Sequence, residues 1–432
     1  VPGTAKLGAL AALGPLMDTC VHCGFCLATC PSYLELGQEM DSPRGRIYMM
    51  RAAVRDRVGL TPALVQHMDT CLGCLACETA CPSGVKYGPL IEETRAAIER
   101  HAPRSAADRL FRRLLFFVLP YPARLRLLGT PMTLARFVKQ RPGLLARLPP
   151  RLRALAMLAP DNGVGRDVPE RSPAIGPTRR RVGLVTGCVQ RVFFSAVNDA
   201  TVRVLTAEGC EVHAPADQGC CGALALHAGR GDEARAFARR LIAVFERRPV
   251  DTIAVNAAGC GSTLKEYGDL LKHDPAWADR ARTFSAKVQD VTETLAQLGP
   301  VAARHPLPLR IAYHDACHLA HGQGVRREPR ELLASIPGAT VVPIGESEIC
   351  CGSAGIFNLV QPRIATALGR RKADHIAATG ADLVVTSNPG CLLQIRSSQG
   401  SPGQCPVMHI VEVIDASIRG VGIGAAPESP SP

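Results

Sequence analysis

Short apolar runs bounded by glycine and polar residues recur through the second half of the chain. Val182-Gly183-Leu184-Val185, Thr252-Ile253-Ala254-Val255, Leu309-Arg310-Ile311-Ala312-Tyr313, Thr340-Val341-Val342 and Leu383-Val384-Val385 have the length and β-branched content of buried strands. Between them, 232–247 and 362–379 carry the spacing of helices. Strands that alternate with helices imply parallel sheets with crossover helices. The first hundred or so residues read instead as helices separated by cysteine loops. There Ser42 is an N-cap and Pro43 a first-turn residue for a helix through Val54, and Thr61-Pro62 opens a second helix.

From about 105 to 160 the pattern changes again. Leu110-Phe111-Arg112-Arg113-Leu114-Leu115-Phe116-Phe117-Val118-Leu119 and Arg147-Leu148-Pro149-Pro150-Arg151-Leu152-Arg153-Ala154-Leu155 mix large apolar residues with arginine. Pro120, Pro122, Pro131, Pro142, Pro149 and Pro150 cut the stretch into short helices. Basic amphipathic helices of this kind either dock on a membrane surface or partner, or pack as a sub-domain on the rest; packing is the preferred expectation. Residues 160–180, rich in Pro, Gly and Arg, read as a linker, and the small residues beyond Gly420 as a disordered tail.

Length and charge narrow the partners. A chain of 432 residues can build two or three cores. Its net charge is +12, but only 4% of residues are aromatic and no nucleic-acid motif appears, so an anionic membrane surface or acidic partner fits better. No apolar run reaches the roughly 20 residues of a membrane-spanning helix. No secretory signal is visible, and a start at Val1 leaves the true N-terminus open.

The 18 cysteines carry the chemistry. Cys20-Cys23-Cys26-Cys30-Pro31 and Cys71-Cys74-Cys77-Cys81-Pro82 both read C-x₂-C-x₂-C-x₃-C-P, the spacing that holds a 4Fe–4S cluster. Three closely spaced thiolates wrap one cluster, and the fourth, before Pro, ligates the other. One cluster would take Cys20, Cys23, Cys26 and Cys81; the second would take Cys71, Cys74, Cys77 and Cys30. Zinc sites usually pair two C-x₂-C units instead, and disulfides do not need this register. Free thiolates also point to a reducing compartment. Between the runs, Arg44 and Arg46 are either donors to cluster sulfurs or a partner's carboxylates, or a solvated helix start.

The α/β half contains an internal repeat. Copy one has Cys188, Cys220-Cys221-Gly222 and Cys260; copy two has Cys317, Cys350-Cys351-Gly352 and Cys391. The cysteines follow expected strand ends, where loops of parallel strands converge on one crevice. A turn at the glycine would let adjacent cysteines serve one site. Each quartet is expected to bind metal, an iron–sulfur cluster ahead of zinc. His314 and His318 flank Cys317 and read as ordinary loop histidines, with iron ligation or proton relay as the alternative. Cys210 and Cys405 fall outside both patterns and read as structural.

These residues resemble the iron–sulfur subunit of glycolate oxidase (glycolate dehydrogenase), within the wider family of CCG-domain iron–sulfur oxidoreductases. The resemblance rests on Cys20-Val21-His22-Cys23-Gly24-Phe25-Cys26-Leu27-Ala28-Thr29-Cys30-Pro31, Ser42-Pro43-Arg44-Gly45-Arg46-Ile47 and Cys350-Cys351-Gly352-Ser353-Ala354-Gly355, and spans about 15–415. Related subunits serve D-lactate, glycerol 3-phosphate and heterodisulfide. The heterodisulfide form ends each repeat in C-x-x-C, whereas here Ala257 and Asn388 stand at the earlier position.

The expected fold is α plus α/β: a helical two-cluster ferredoxin-like domain (1–104), a basic helical connector and linker (105–180), and a tandem CCG-repeat domain (181–420, dividing near 300), then a tail (421–432). Oxidising an alcohol removes two electrons and needs a flavin or nicotinamide, yet no G-x-G-x-x-G follows a strand. The resemblance therefore implies FAD on partner subunits that oxidise glycolate or a close 2-hydroxy acid. This chain would pass electrons to a quinone or other acceptor, from the cytoplasm or the inner membrane face. A heterodisulfide-type reductase, with chemistry in the CCG domain, and a scaffold with vestigial cysteines are the rival readings.

Overall fold

Side-chain caps start the N-terminal helices where the sequence predicts. In the computed structural model, which describes residues 8–55, 59–160, 164–399 and 405–423, Ser42 accepts from the Gly45 amide at 3.0 Å and opens the helix Pro43–Val54. Thr61 does the same for Pro62–Asp69, through the Leu64 amide. The long helix Tyr87–His101 turns Leu90, Ile91 and Ile98 against Met50 and Met68, a small core that excludes water behind the cysteine loops.

The second half forms two sheets. The first holds β1 (Arg171–Ser172), β2 (Arg180–Val185), β3 (Cys210–His213), β4 (Thr252–Val255) and β5 (Val288–Asp290) in the order β1-β3-β2-β4-β5. The second holds β6 (Arg310–Tyr313), β7 (Thr340–Val342), β8 (Leu383–Thr386) and β9 (Val407–His409) in the order β7-β6-β8-β9. All pairings are parallel except β1 with β3. Leaving out β1, the two orders are the same, second-first-third-fourth, so the sequence repeat is a repeat of topology. In such a sheet the direction of winding reverses between the first and third strands, and their carboxyl ends open a crevice.

The copies pack reciprocally. Helix Ser195–Ala207, after β2, lies on Ile410–Arg419 at the end of copy two, while Glu328–Ala334, after β6, lies on Val291–Leu298 at the end of copy one. That exchange is what a pseudo-twofold axis requires. One apolar core, including Val182, Leu184, Val204, Ile311, Val384 and Val413, runs through both copies.

Three features depart from expectation. β1 lies within the linker, β3 holds Cys210, and β5 and β9 escape a search for apolar runs because they are three residues long with a polar centre or end. Cys210 is fully buried in the core, and burial pushes its thiol up to about 11. Residues 424–432 of the expected tail lie outside the described residues.

A fourth departure is the connector, built of Ala106–Val118, Pro122–Arg126, Gly129–Lys139, Pro142–Arg147 and Pro150–Met157. Some of its arginines are committed to partners within the fold, while Arg109, Arg113, Arg141, Arg147 and Arg153 stay exposed. Arg112 is buried against Asp108 at 2.9 Å and Asp69 at 3.8 Å, and Arg151 reaches the same Asp108 at 2.6 Å. Arg126 shares Asp167 with Arg191, and Arg124 sits 4.0 Å from the ring centroids of Phe117 and Tyr121. Leu110, Leu114 and Phe117, one face of the first helix, are 69%, 57% and 57% exposed. The segment packs on the rest of the chain, and its free face carries these apolar side chains beside exposed Arg109 and Arg113. No helix among the described residues is long and apolar enough to cross a membrane.

Candidate metal centres

Both cysteine runs coil in the same way. The backbone is left-handed at His22 and Gly24 in the first run and at Gly73 and Leu75 in the second, so Cys23 and Cys74 each sit between two such residues. Non-glycine residues rarely adopt this conformation, and strain of that kind gathers at functional sites. A Cβ on Gly24 would meet the Arg44 guanidinium at 2.8 Å.

Cys20, Cys23, Cys26 and Cys81 line one small pocket together with Pro82. Burial pushes the Cys26 thiol up to about 11. The other four also converge. Burial pushes the Cys74 and Cys77 thiols well up, and neighbouring Cys30 and Cys71 raise both further. Buried sulfurs crowded in this way, none in a disulfide, are a poor set of free thiols and a good set of cluster ligands, because metal takes the thiolate.

Cys71 behaves differently. Burial alone would raise its pKa, but Arg46 and Arg95, the Gly73 amide at 3.3 Å and the Tyr87 hydroxyl at 3.7 Å outweigh it, and the pKa falls. Arg46 is 1% exposed and donates to Ser32 and Thr70 hydroxyls and the His67 carbonyl at 2.7–3.0 Å. Arg44 pairs with Glu39 at 2.6 Å and holds the His22 carbonyl at 3.0 Å. Neither arginine is a solvated helix start. Arg46 acts on sulfur through its charge, and Arg44 braces the first loop.

The two quartets sit at different depths. Cys23 is exposed among exposed Val21, Phe25 and Tyr48, whereas Cys74 is buried against Cys317, Cys350 and Phe357 of the second repeat. Arg95 ties the second cysteine run to the first repeat, donating to the Cys71 carbonyl and to the His227 carbonyl at 2.8 Å.

In the repeats, Cys188 follows β2 and Cys260 follows β4, the strands that flank the crevice; Cys317 and Cys391 follow β6 and β8 in the same way. Cys188 and Cys220 sulfurs stand 3.5 Å apart, and those of Cys317 and Cys350 4.0 Å. Each pair continues through its neighbour, Cys220 to Cys221 to Cys260 and Cys350 to Cys351 to Cys391. Gly222 and Gly352 are left-handed, and a Cβ on Gly352 would meet the Ala365 carbonyl at 2.7 Å. The glycine thus makes the turn that brings both adjacent thiols to one side.

All eight repeat cysteines and Cys71 line one cavity of about 700 Å³. Its floor is the thiols. Its far wall is apolar, formed by connector residues that include Leu128 and Met132, with exposed Leu134 and Leu152 at the mouth. His227 and His318 border it with ring centroids 4.9 Å apart, and His227 Nδ1 lies 2.9 Å from Glu92.

Two further residues lie beside the thiols. His314 is fully buried with neither ring nitrogen hydrogen-bonded. Asn388 donates to Cys391 sulfur at 3.5 Å and accepts from the Gly259 amide of the other repeat at 3.4 Å. Only the sheet pairing brings either residue beside the thiols.

Comparison with known proteins agrees with this layout. A 4Fe–4S dicluster domain model matches residues 16–85, and a cysteine-rich CCG domain model matches 182–265 and 311–396. The "Probable glycolate oxidase iron-sulfur subunit" of Bacillus subtilis is 38% identical over 93% of this chain and 94% of its own length. The glycolate oxidase iron-sulfur subunit of Escherichia coli is 34% identical over 94% and 95%. Lactate utilization protein A of an Exiguobacterium species is 31% identical over 55% of this chain and 98% of its own. A hypothetical protein from Helicobacter pylori shares the fold, with TM-score 0.55, 8% identity, and coverage of 96% of this chain and 76% of that one. With its dicluster segment and paired CCG repeats, the chain belongs to the family of glycolate oxidase iron–sulfur subunits and is an electron-transfer component of an oxidoreductase complex.

Proposed function

We propose that this chain is the wire of a flavin-dependent glycolate dehydrogenase, carrying electrons from a partner's FAD through two 4Fe–4S clusters and the CCG repeats to a membrane quinone. Oxidation of glycolate to glyoxylate releases two electrons and two protons. Clusters then carry the electrons singly, and a quinone collects two electrons and two protons to become the quinol. Cys20, Cys23, Cys26 and Cys81 would hold one cluster, Cys71, Cys74, Cys77 and Cys30 the second, and the repeat quartets an additional iron–sulfur cluster or zinc. The domains run 1–104, 105–180 and 181–420.

The observation that carries this reading is the continuity of sulfur, from exposed Cys23 through Cys74 against Cys317 and Cys350 to a cavity with an apolar mouth. Exposed Val21 and Phe25 beside Cys23 suit a partner that delivers electrons there. The apolar face of the connector suits attachment to the cytoplasmic membrane surface, where quinone resides. The chain alone should show iron–sulfur absorbance, no flavin, and no glycolate oxidation. In the assembled complex, Cys23→Ser and Cys74→Ser should abolish quinone reduction while glycolate-dependent dye reduction at the flavin continues. Full quinone turnover in either variant overturns the wire.

A further inference from the structure

We infer that the metal centre of the second repeat takes the imidazole of His314 as a ligand beside Cys351 and Cys391, a donor that the first repeat lacks. This rests on the reading that the second repeat holds a metal. His314 directly follows β6, at the crevice where the thiols gather. One ring nitrogen of His314 and the sulfurs of Cys351 and Cys391 all lie within 4.8 Å of one another, and all three residues are buried. The imidazole is 1% exposed and neither of its nitrogens has a hydrogen-bond partner. Native proteins leave few buried polar groups unpaired, and a bound ion is one of the few reasons they do.

The repeats differ here. His314 stands three residues before Cys317; the residue three before Cys188 is Val185, 1% exposed and without a donor. Asn388 adds a second difference, since its amide donates to Cys391, whereas Ala257 has no such group. A neutral imidazole and a hydrogen bond to sulfur both reduce the negative charge at a centre, and that raises its reduction potential. The second repeat is also the one that touches Cys74. Its centre is therefore the first and more oxidising stop after the second ferredoxin-type cluster, and the two repeats are not interchangeable.

Pulsed EPR on the reduced complex, prepared with ¹⁵N-labelled histidine, should show a directly coupled histidine nitrogen. His314→Ala should abolish that coupling and Val185→Ala should preserve it. His314→Cys should retain the metal of the second repeat with all-sulfur ligation and a lower midpoint potential. Nitrogen coupling that survives in His314→Ala, or a full metal complement in the wild type with no histidine nitrogen coupled, overturns the inference. Should His314→Ala fail to accumulate, the wild-type spectrum and His314→Cys still decide it. Metal content unchanged in a Cys351→Ser, Cys391→Ser double variant would instead show that the second repeat holds no metal, and would remove the reading beneath it.

Discussion

At the scale of single residues, the charge on Cys71 is set by buried Arg46 and half-buried Arg95. Arg46 satisfies its guanidinium on Ser32, Thr70 and the His67 carbonyl, with Asp41 at 3.5 Å, and from there acts on Cys71 and Cys30. We predict that Arg46→Met loses iron from the second cluster and lowers its potential, because a buried cation near a cluster favours the more negative, reduced form. Arg46→Lys should recover part of the potential shift while leaving two of the hydrogen bonds unmade. Redox titration of the complex reads both; equal potentials in all three proteins would confine Arg46 to packing. The cysteine runs were legible in the sequence because their ligands are local, fixed by spacing and two left-handed residues. Arg46 was legible only as a basic residue at a helix start, since its burial depends on Ser32 and Thr70 from other loops. His314 was legible only as a neighbour of Cys317, because its distance from Cys391 is set by the pairing of β6 with β8.

At the scale of elements, the CCG turn and the helix start after β5 each give a test. Gly352→Ala forces a left-handed alanine onto the Ala365 carbonyl of helix Pro362–Ala377, so the turn must open. We expect a loss of about 1–3 kcal/mol and lower metal content in the second repeat, with the first repeat unchanged. Equal loss from both would mean that the turn serves the fold alone. Asp290 caps Val291–Leu298 by accepting from the Thr292 amide at 2.8 Å, while its other oxygen is buried and unpaired. Burial first, then Glu293, raises its pKa to about 7, against the opposing pull of Thr292 and Lys265. The unfolded chain releases that proton near pH 3.9. Above this pH the unfolded state therefore binds fewer protons than the folded one, and the carboxyl's contribution falls as pH rises from about 4 to 7. Asp290→Asn should flatten the decline in Tm over that range; an unchanged slope would assign the decline to other groups. Strands such as Thr252–Val255 were legible from an unbroken apolar run. Val288–Asp290 was not, because three residues with a polar centre and end become a strand only against β4.

At the scale of the whole molecule, the connector decides how the cavity meets its surroundings. Its arginines suggested, on sequence, attachment through charge. In the folded chain Arg112, Arg126 and Arg151 are committed to Asp69, Asp108 and Asp167, and the free face presents Leu110, Leu114 and Phe117 beside exposed Arg109 and Arg113. Sequence could not reveal which arginines are taken up inside the fold, since that depends on acidic residues that lie partly outside the segment. Attachment to a bilayer through this face is therefore expected to be hydrophobic. Each large apolar side chain that moves from water into lipid contributes up to about 1.5–3 kcal/mol, so three together outweigh what salt screening can remove from scattered charges. We predict that the complex floats with vesicles of neutral lipid and remains bound in about 1 M salt, where the Debye length is about 3 Å. Leu110→Glu, Leu114→Glu and Phe117→Glu combined should release it from vesicles and lower quinone reduction, while glycolate-dependent dye reduction and iron content stay at wild-type values. Reversing Arg112 and Arg151 should instead destabilise the connector, because each leaves Asp108 facing a like charge. Release of the wild-type complex by salt alone would restore charge as the means of attachment, and quinone reduction unaffected in the triple variant would separate the apolar face from the path to the cavity.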